Sequence, residues 1–166
     1  MLNFANNLQF VPISVVGISA AVAVFPRLSF HASGDEKEEF HKKLSSALKG
    51  TALIVTLGAV ALFFLSEWVI RILFGVGLFH GQSITITAGI LSLYMLGVTA
   101  QSLIPILSRA FYALHNTKIP VIISIISIAV NLGLASLFTF YFHWDVRGLA
   151  LAFAIAGNVN FFLLWA

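Results

Sequence analysis

IPVIISIISIAVNLGLASLFTFYFHW, residues Ile119–Trp144, runs for 26 residues without a Lys, Arg, Asp or Glu. A helix needs about 20 apolar residues to cross the hydrocarbon core of a bilayer, and this stretch exceeds that length. Working outward, four further uncharged runs surround it: Met1–Pro26, Gly50–Ser66, Ile72–Ser108 and Gly148–Ala166. The Gly50–Ser66 run reaches spanning length once Leu44–Lys49 is added. Hydrophobic residues make up 60% of the chain and charged ones 9%, too little polar surface for a water-soluble domain of this size. The sequence therefore predicts an all-α fold, a polytopic transmembrane helix bundle of five spans: a (4–26), b (45–66), c (84–108), d (119–142) and e (148–166).

The charges lie between the runs. Arg27, Lys37, Lys42, Lys43 and Lys49 fall between a and b, and Arg109 and Lys118 between c and d; the other two connections hold only Arg71 and Arg147. Cytoplasmic loops collect Lys and Arg, so seven basic residues against two set the a–b and c–d loops inside. Cysteines placed at Ser33 and Gln82 are then expected to label from opposite sides, with Gln82 outside; labelling of Ser33 by an impermeant reagent on intact cells would reverse the assignment. The chain has no cysteine, which excludes disulfides and thiolate chemistry. Met1 opens on Leu-Asn-Phe-Ala-Asn-Asn without a basic n-region or a small-residue cleavage site, so no signal peptide is expected. Both ends stop within apolar runs, and the chain reads as an internal piece of a transporter-sized protein.

Around the spans, Ala32–Glu39 reads as a turn followed by a solvated, charged helical start. Glu67 and Arg71 form an i,i+4 pair on a short helix lying at the outer interface with Trp68. Pro12 and Pro105 are expected to interrupt helices a and c. His31, His41, His80, His115 and His143 fall in loops or at span ends without metal-ligand spacing. No phosphate loop, catalytic triad or carboxylate pair is present, and an enzyme is disfavoured. Nothing in the pattern suggests nucleic acid.

No charge lies near the middle of a span, so functional side chains must be sought among neutral polar groups. Asn3, Asn7 and Ser14 share a face of helix a. Thr85, Ser92, Thr99 and Ser102 line helix c, Ser124, Ser127 and Asn131 helix d, and Gly148, Ala152, Ala156 and Asn160 helix e at four-residue steps. Small residues and hydroxyls of this kind serve helix packing. The amides ask for more partners than hydrocarbon offers, which makes Asn3, Asn7, Ser14, Asn131 and Asn160 candidates for a substrate cavity.

The c–d junction, Arg109-Ala110-Phe111-Tyr112-Ala113-Leu114-His115-Asn116-Thr117-Lys118-Ile119-Pro120-Val121, resembles the R-A-F-Y-A-L-x-D-T-x-x-P-V signature of the MurJ/MviN lipid II flippases, within the wider MOP exporter superfamily. Phe25-Pro26-Arg27-Leu28-Ser29, Leu73-Phe74-Gly75-Val76-Gly77-Leu78-Phe79 and Gly148-Leu149-Ala150-Leu151-Ala152 resemble further family segments in the same order. The resemblance implies that residues 1–166 are part of the C-terminal lobe of a two-lobe protein of about fourteen helices, with a to e as the eighth to twelfth. Arg109, Phe111, Tyr112, Thr117 and Pro120 would form a cytoplasmic elbow.

It implies a bacterial inner-membrane protein, multi-pass, that moves lipid-linked peptidoglycan precursor from the inner to the outer leaflet by alternating access. Its partners would be that precursor, membrane lipids and the N-terminal lobe of the same protein. No cofactor is expected, sodium being the one candidate, with Asn131 as its ligand. Some relatives hold sodium with an Asn and an Asp on helix d and a Thr on helix e; here only Asn131 matches, with Ala135 and Phe153 at the other two positions. Asn7 and Val76 stand where the family has Arg. Two other readings compete: another exporter of the superfamily, for polysaccharide units or drugs, and a non-transporting membrane scaffold. An Arg-rich N-terminal lobe would favour the flippase, an acidic one a cation-coupled exporter and a charge-poor one the scaffold.

Overall fold

The structure, a computed structural model, describes residues 2–33, 36–74, 82–141 and 144–166. Val76, His80, His143 and the end of the expected helix d at Phe142 lie outside them. Six α-helices and one π-helical segment follow in order: α1 (Leu2–Pro12), the π segment (Ile13–Ile18), α2 (Ser19–Ser33), α3 (Lys37–Phe74), α4 (Gln82–Ala113), α5 (Lys118–Phe140) and α6 (Asp145–Trp165). α1, the π segment and α2 form one continuous rod, so five rods are long and apolar enough to cross a membrane, and no strand occurs among the described residues.

The rods outrun the spans expected from hydropathy. Pro26 was expected to end the first, yet the helix continues to Ser33. Proline removes one backbone bond, but Leu28 beyond it is fully buried among Phe40, Ala110 and Ala113, and that packing holds the next turns. The charged start after Ala32 and the interfacial helix around Trp68 are not separate elements either: both belong to the 38-residue α3. Phe40, Leu48, Thr51, Val55, Ala59, Ser66 and Ile70 are buried along one side of it at helical spacing, so a single seam against α4 favours one helix over three. At 1.5 Å per residue α3 is about 57 Å long, well beyond the thickness of the hydrocarbon core. His31 and His41 accordingly lie in helices, not loops, and His31 Nδ1 is 2.6 Å from Glu36 Oε2, joining the end of α2 to the start of α3.

α4 is the hub. In its most apolar 18-residue window 61% of residues are buried, against 11% for α5. α3 and the α1–α2 rod pack on one side of α4, and α6 on the other; α5 reaches the bundle chiefly through α6. Pro105 does not interrupt α4, which is helical throughout.

Pro12 does mark a change. The π segment begins at the next residue, where Ser14 Oγ donates to Phe10 O at 2.7 Å and Ser19 Oγ to Ser14 O at 3.4 Å. These hydroxyls take up carbonyls that the widened turn releases. At its end Gly17 lies against α4 so closely that a Cβ would sit 2.5 Å from Ser102 O.

Candidate functional site

α1 has two faces. Ala5, Gln9, Ile13 and Gly17 point into the bundle and are buried, Gln9 completely. Asn3, Asn7 and Ser14 lie on the opposite side and are exposed. The three-residue stripe is thus turned away from α3, α4 and α6, toward whatever adjoins this face in the membrane. Apolar Phe10, Val11, Val15 and Ile18 flank it.

A second set of polar groups lies inside the bundle, on α1, α4 and α6. Gln9 Nε2 donates to Asn6 Oδ1 at 2.7 Å. Four buried atoms have no hydrogen-bond partner among the described residues: Gln9 Oε1, Gln101 Nε2, Ser102 Oγ and Asn160 Oδ1. An unpaired buried polar group costs about 1–3 kcal/mol. Gln101 fills a notch left by two glycines: a Cβ on Gly157 would meet its Cγ at 2.7 Å, and one on Gly97 its Nε2 at 3.0 Å. Neither Gln9 nor Gln101 stands out in the sequence as a site residue. Their signal there is the small-residue company they keep, Gly97 four residues before Gln101 being the clearest case.

The hydroxyl and small-residue stripes of the other spans serve packing. Ser127 Oγ donates to Ala156 O at 2.7 Å between α5 and α6, and Gly148 abuts Phe138, where a Cβ would lie 2.8 Å from Phe138 Cβ. Asn158, absent from the four-residue stripe, ties α6 to α4: its Nδ2 donates to Ala154 O at 2.8 Å and Leu96 O at 3.3 Å. The stripe read along helix c divides between neighbours, with Thr99 Oγ1 3.3 Å from Thr56 Oγ1 on α3 and Ser102 against Gly17.

Asn131 is half-buried on α5. Of the two side chains that would have to join it around sodium, Ala135 carries no donor atom, and the Phe153 ring lies edge-on to Tyr94 at 5.7 Å. One amide oxygen is too few for a cation that seeks several oxygens. The residues present do not fit sodium.

The elbow is a tight helix-to-helix turn. Arg109, Phe111 and Tyr112 belong to the last turns of α4, which extends five residues past the expected end at Ser108. The Arg109 guanidinium stands 6.0 Å from the centre of the Phe25 ring, fixing the end of α4 to α2 by a cation–π contact. Phe111 packs with Leu103, Ile106 and Leu107, while Tyr112 is exposed. Asn116 N–H donates to Phe111 O at 2.9 Å and His115 N–H to Tyr112 O at 3.0 Å, the paired bonds of a Schellman cap. His115 takes the left-handed position, φ 57°. Asn116 Oδ1 then accepts from Ile119 N–H at 3.3 Å, capping α5 as the family's Asp would. Thr117 is exposed, and buried Pro120 sits in the first turn of α5, where its missing N–H has no helical partner to lose. His115→Gly is expected to hold or raise stability, and His115→Val to lower it by about 1–2 kcal/mol, because the left-handed backbone penalises a β-branched residue. Asn116→Ala should cost about 1 kcal/mol while Asn116→Asp keeps the cap. Thermal melts of the purified variants check both.

Comparison with known proteins agrees with this geometry. The sequence family described as lipid II flippase MurJ matches residues 1–166. A probable lipid II flippase MurJ from Buchnera aphidicola is 34% identical over 97% of this chain and 31% of its own length. One from Rhizobium meliloti is 33% identical over 99% of the chain and 30% of its own length. A solved structure of lipid II flippase MurJ in an inward closed conformation superposes with a TM-score of 0.87 at 30% identity, covering 98% of this chain and 34% of that one. The chain therefore spans about a third of the length of the relatives it matches. Five rods able to cross a membrane and bacterial relatives of this kind make it a multi-pass protein of the bacterial inner membrane. By a match that runs from the first residue to the last, the chain belongs to the lipid II flippase MurJ family.

Proposed function

We propose that these five spans form part of the C-terminal lobe of a flippase that carries lipid-linked peptidoglycan precursor from the inner to the outer leaflet by alternating access. The observation that carries this reading is the exposed Asn3–Asn7–Ser14 face of α1 and the π segment. Two amides and a hydroxyl along a membrane-crossing rod are costly against hydrocarbon. They are at ease against a water-filled cavity between two lobes, where a broken or widened helix also belongs; the π segment beside Ser14 fits that setting.

The substrate's pyrophosphate headgroup is too strongly hydrated to cross lipid unaided. A polar path lowers that barrier, and an inside-negative potential favours outward movement by about 2.3 kcal/mol per charge per 100 mV. The inner polar groups, Gln9, Gln101, Ser102 and Asn160, call for water or for side chains from elsewhere in the protein to complete the lobe. The mechanism needs no covalent chemistry and no cofactor, in keeping with a transporter.

Complementation of a flippase-depleted strain by the full-length protein tests the proposal. Growth and translocation of a labelled lipid II analogue are expected; a well-expressed protein that supports neither would leave the scaffold reading in its place.

A further inference from the structure

At the end of the bundle opposite the basic loops, the last turns of α3 and the first turns of α4 and α6 part to form a cleft of about 1230 Å³. It lies on a different part of the lobe from the Asn3–Asn7–Ser14 face, and its walls are chemically divided. One wall carries Arg147, whose Nε, Cζ and Nη2 lie 3.8–3.9 Å from the place a Cβ would take on Gly89, so the guanidinium lies alongside α4 where glycine leaves room. Among the described residues Arg147 makes no ion pair, and it sits in the first turn of α6, where the helix dipole disfavours a cation. The side chain is exposed, open to an anion in the cleft that would offset the dipole.

Glu67 and Ser66 on α3 and Ser92 on α4 offer acceptors. Glu67 lines the cleft, held among the described residues by an exposed i,i+4 pair with Arg71 at 3.2 Å, which binds weakly. Ser66 and Ser92 donate their hydroxyl protons to Phe63 O and Gly89 O, leaving oxygen lone pairs free to accept. A ligand that suits both walls brings an anion for Arg147 and an N–H-bearing cation for Glu67 and the two serines. The cleft is flanked by exposed Phe64 and Trp144, a setting for apolar chains and their headgroup junction.

We propose that this cleft seats the headgroup of a primary-amine phospholipid of the phosphatidylethanolamine type. Its phosphate lies on Arg147, and its ammonium on Glu67, Ser66 and Ser92. A choline headgroup has no N–H to donate, and a glycerol headgroup has no cation.

Native mass spectrometry of the full-length protein in detergent, titrated with phosphatidylethanolamine, phosphatidylcholine and phosphatidylglycerol of matched acyl chains, tests this. Phosphatidylethanolamine is expected to bind saturably and about tenfold more tightly than the other two, the worth of one charge-assisted contact. Arg147→Gln should remove about tenfold of that affinity, and Arg147→Lys, which keeps the charge but not the fork, less. Glu67→Gln, at an exposed position that tolerates substitution, should bring phosphatidylethanolamine down to phosphatidylcholine, and it decides the matter if Arg147→Gln does not fold. Equal binding of the three lipids, or no change in Glu67→Gln, would overturn the proposal. Displacement of the lipid by millimolar inorganic phosphate would also overturn it, marking a free-anion site instead.

Discussion

Gly97→Leu will pry α4 from α6 and cost the protein about 3 kcal/mol or more, read as a lowered thermal midpoint. The geometry leaves no gentler outcome. A Cβ on Gly97 would stand 2.7 Å from Ala154 Cα and 3.1 Å from Ala154 Cβ, so the obstacle is backbone and cannot rotate aside. The same approach brings Asn158 within 3.3 Å of Leu96 O and seats Gln101 against Gly157. Displacing α6 by even 1 Å breaks that bond and opens the buried contacts of Ala150 and Ala154. Gly97→Ala should show a smaller loss of the same sign. Gly157→Ala should cost less again, since its obstacle is the flexible Gln101 side chain.

Gly50 and Gly58 on α3, where nothing lies within 4 Å of an added Cβ, supply the contrast. There alanine should stabilise the helix by about 1 kcal/mol. Thermal melts of the full-length variants in one detergent measure the set; a Gly97→Leu protein that melts with the parent would show that α4 and α6 do not meet at this glycine.

These positions also show what can be read from sequence and what cannot. The five spans follow from hydropathy alone, because a bilayer imposes a length that no soluble packing problem does. The rod ends do not. Pro26, the Glu67–Arg71 pair and the lysines of α3 look like boundaries locally, yet Leu28 and Ile70, fully buried beyond them, extend the helices through contacts between segments distant in the chain. Four-residue steps in helix e pick out Gly148, Ala152 and Ala156, which are buried. Those steps pass over Gly157 and Asn158, which meet α4 near Gly97, because a seam between two helices shows as a period only when read on both. The shared face of Asn3, Asn7 and Ser14 follows from their spacing. That it turns away from α4 required the position of Gln9 and Gly17.

Asn7→Arg will keep or raise translocation of lipid II by the full-length protein, provided the exposed face of α1 lines the cavity proposed above. Asn7 replaces an arginine usual in the family this chain resembles, and an amide offers phosphate oxygens neither charge nor the fork-shaped pair of donors that guanidinium supplies. The structure removes one objection to restoring it. Asn7 is exposed, on the side of α1 opposite buried Ala5, Gln9 and Ile13, so a longer side chain meets no helix of this bundle. In water the added charge is cheap to hold, and against a pyrophosphate it stabilises the substrate-bound state, so a gain of several-fold in transport is expected.

If this face instead meets a dry helix, the unpaired cation costs several kcal/mol and the protein level falls. Complementation of a flippase-depleted strain, with protein level measured beside growth, separates the cases. Low abundance indicates a dry contact. Normal abundance with transport lost, beside an active parent, would count against any phosphate-binding role for this face. Gln9→Arg is the matching control: it forces the same charge into the buried side of the same helix, where Gln9 is fully enclosed, and it should lower abundance whichever way Asn7 behaves.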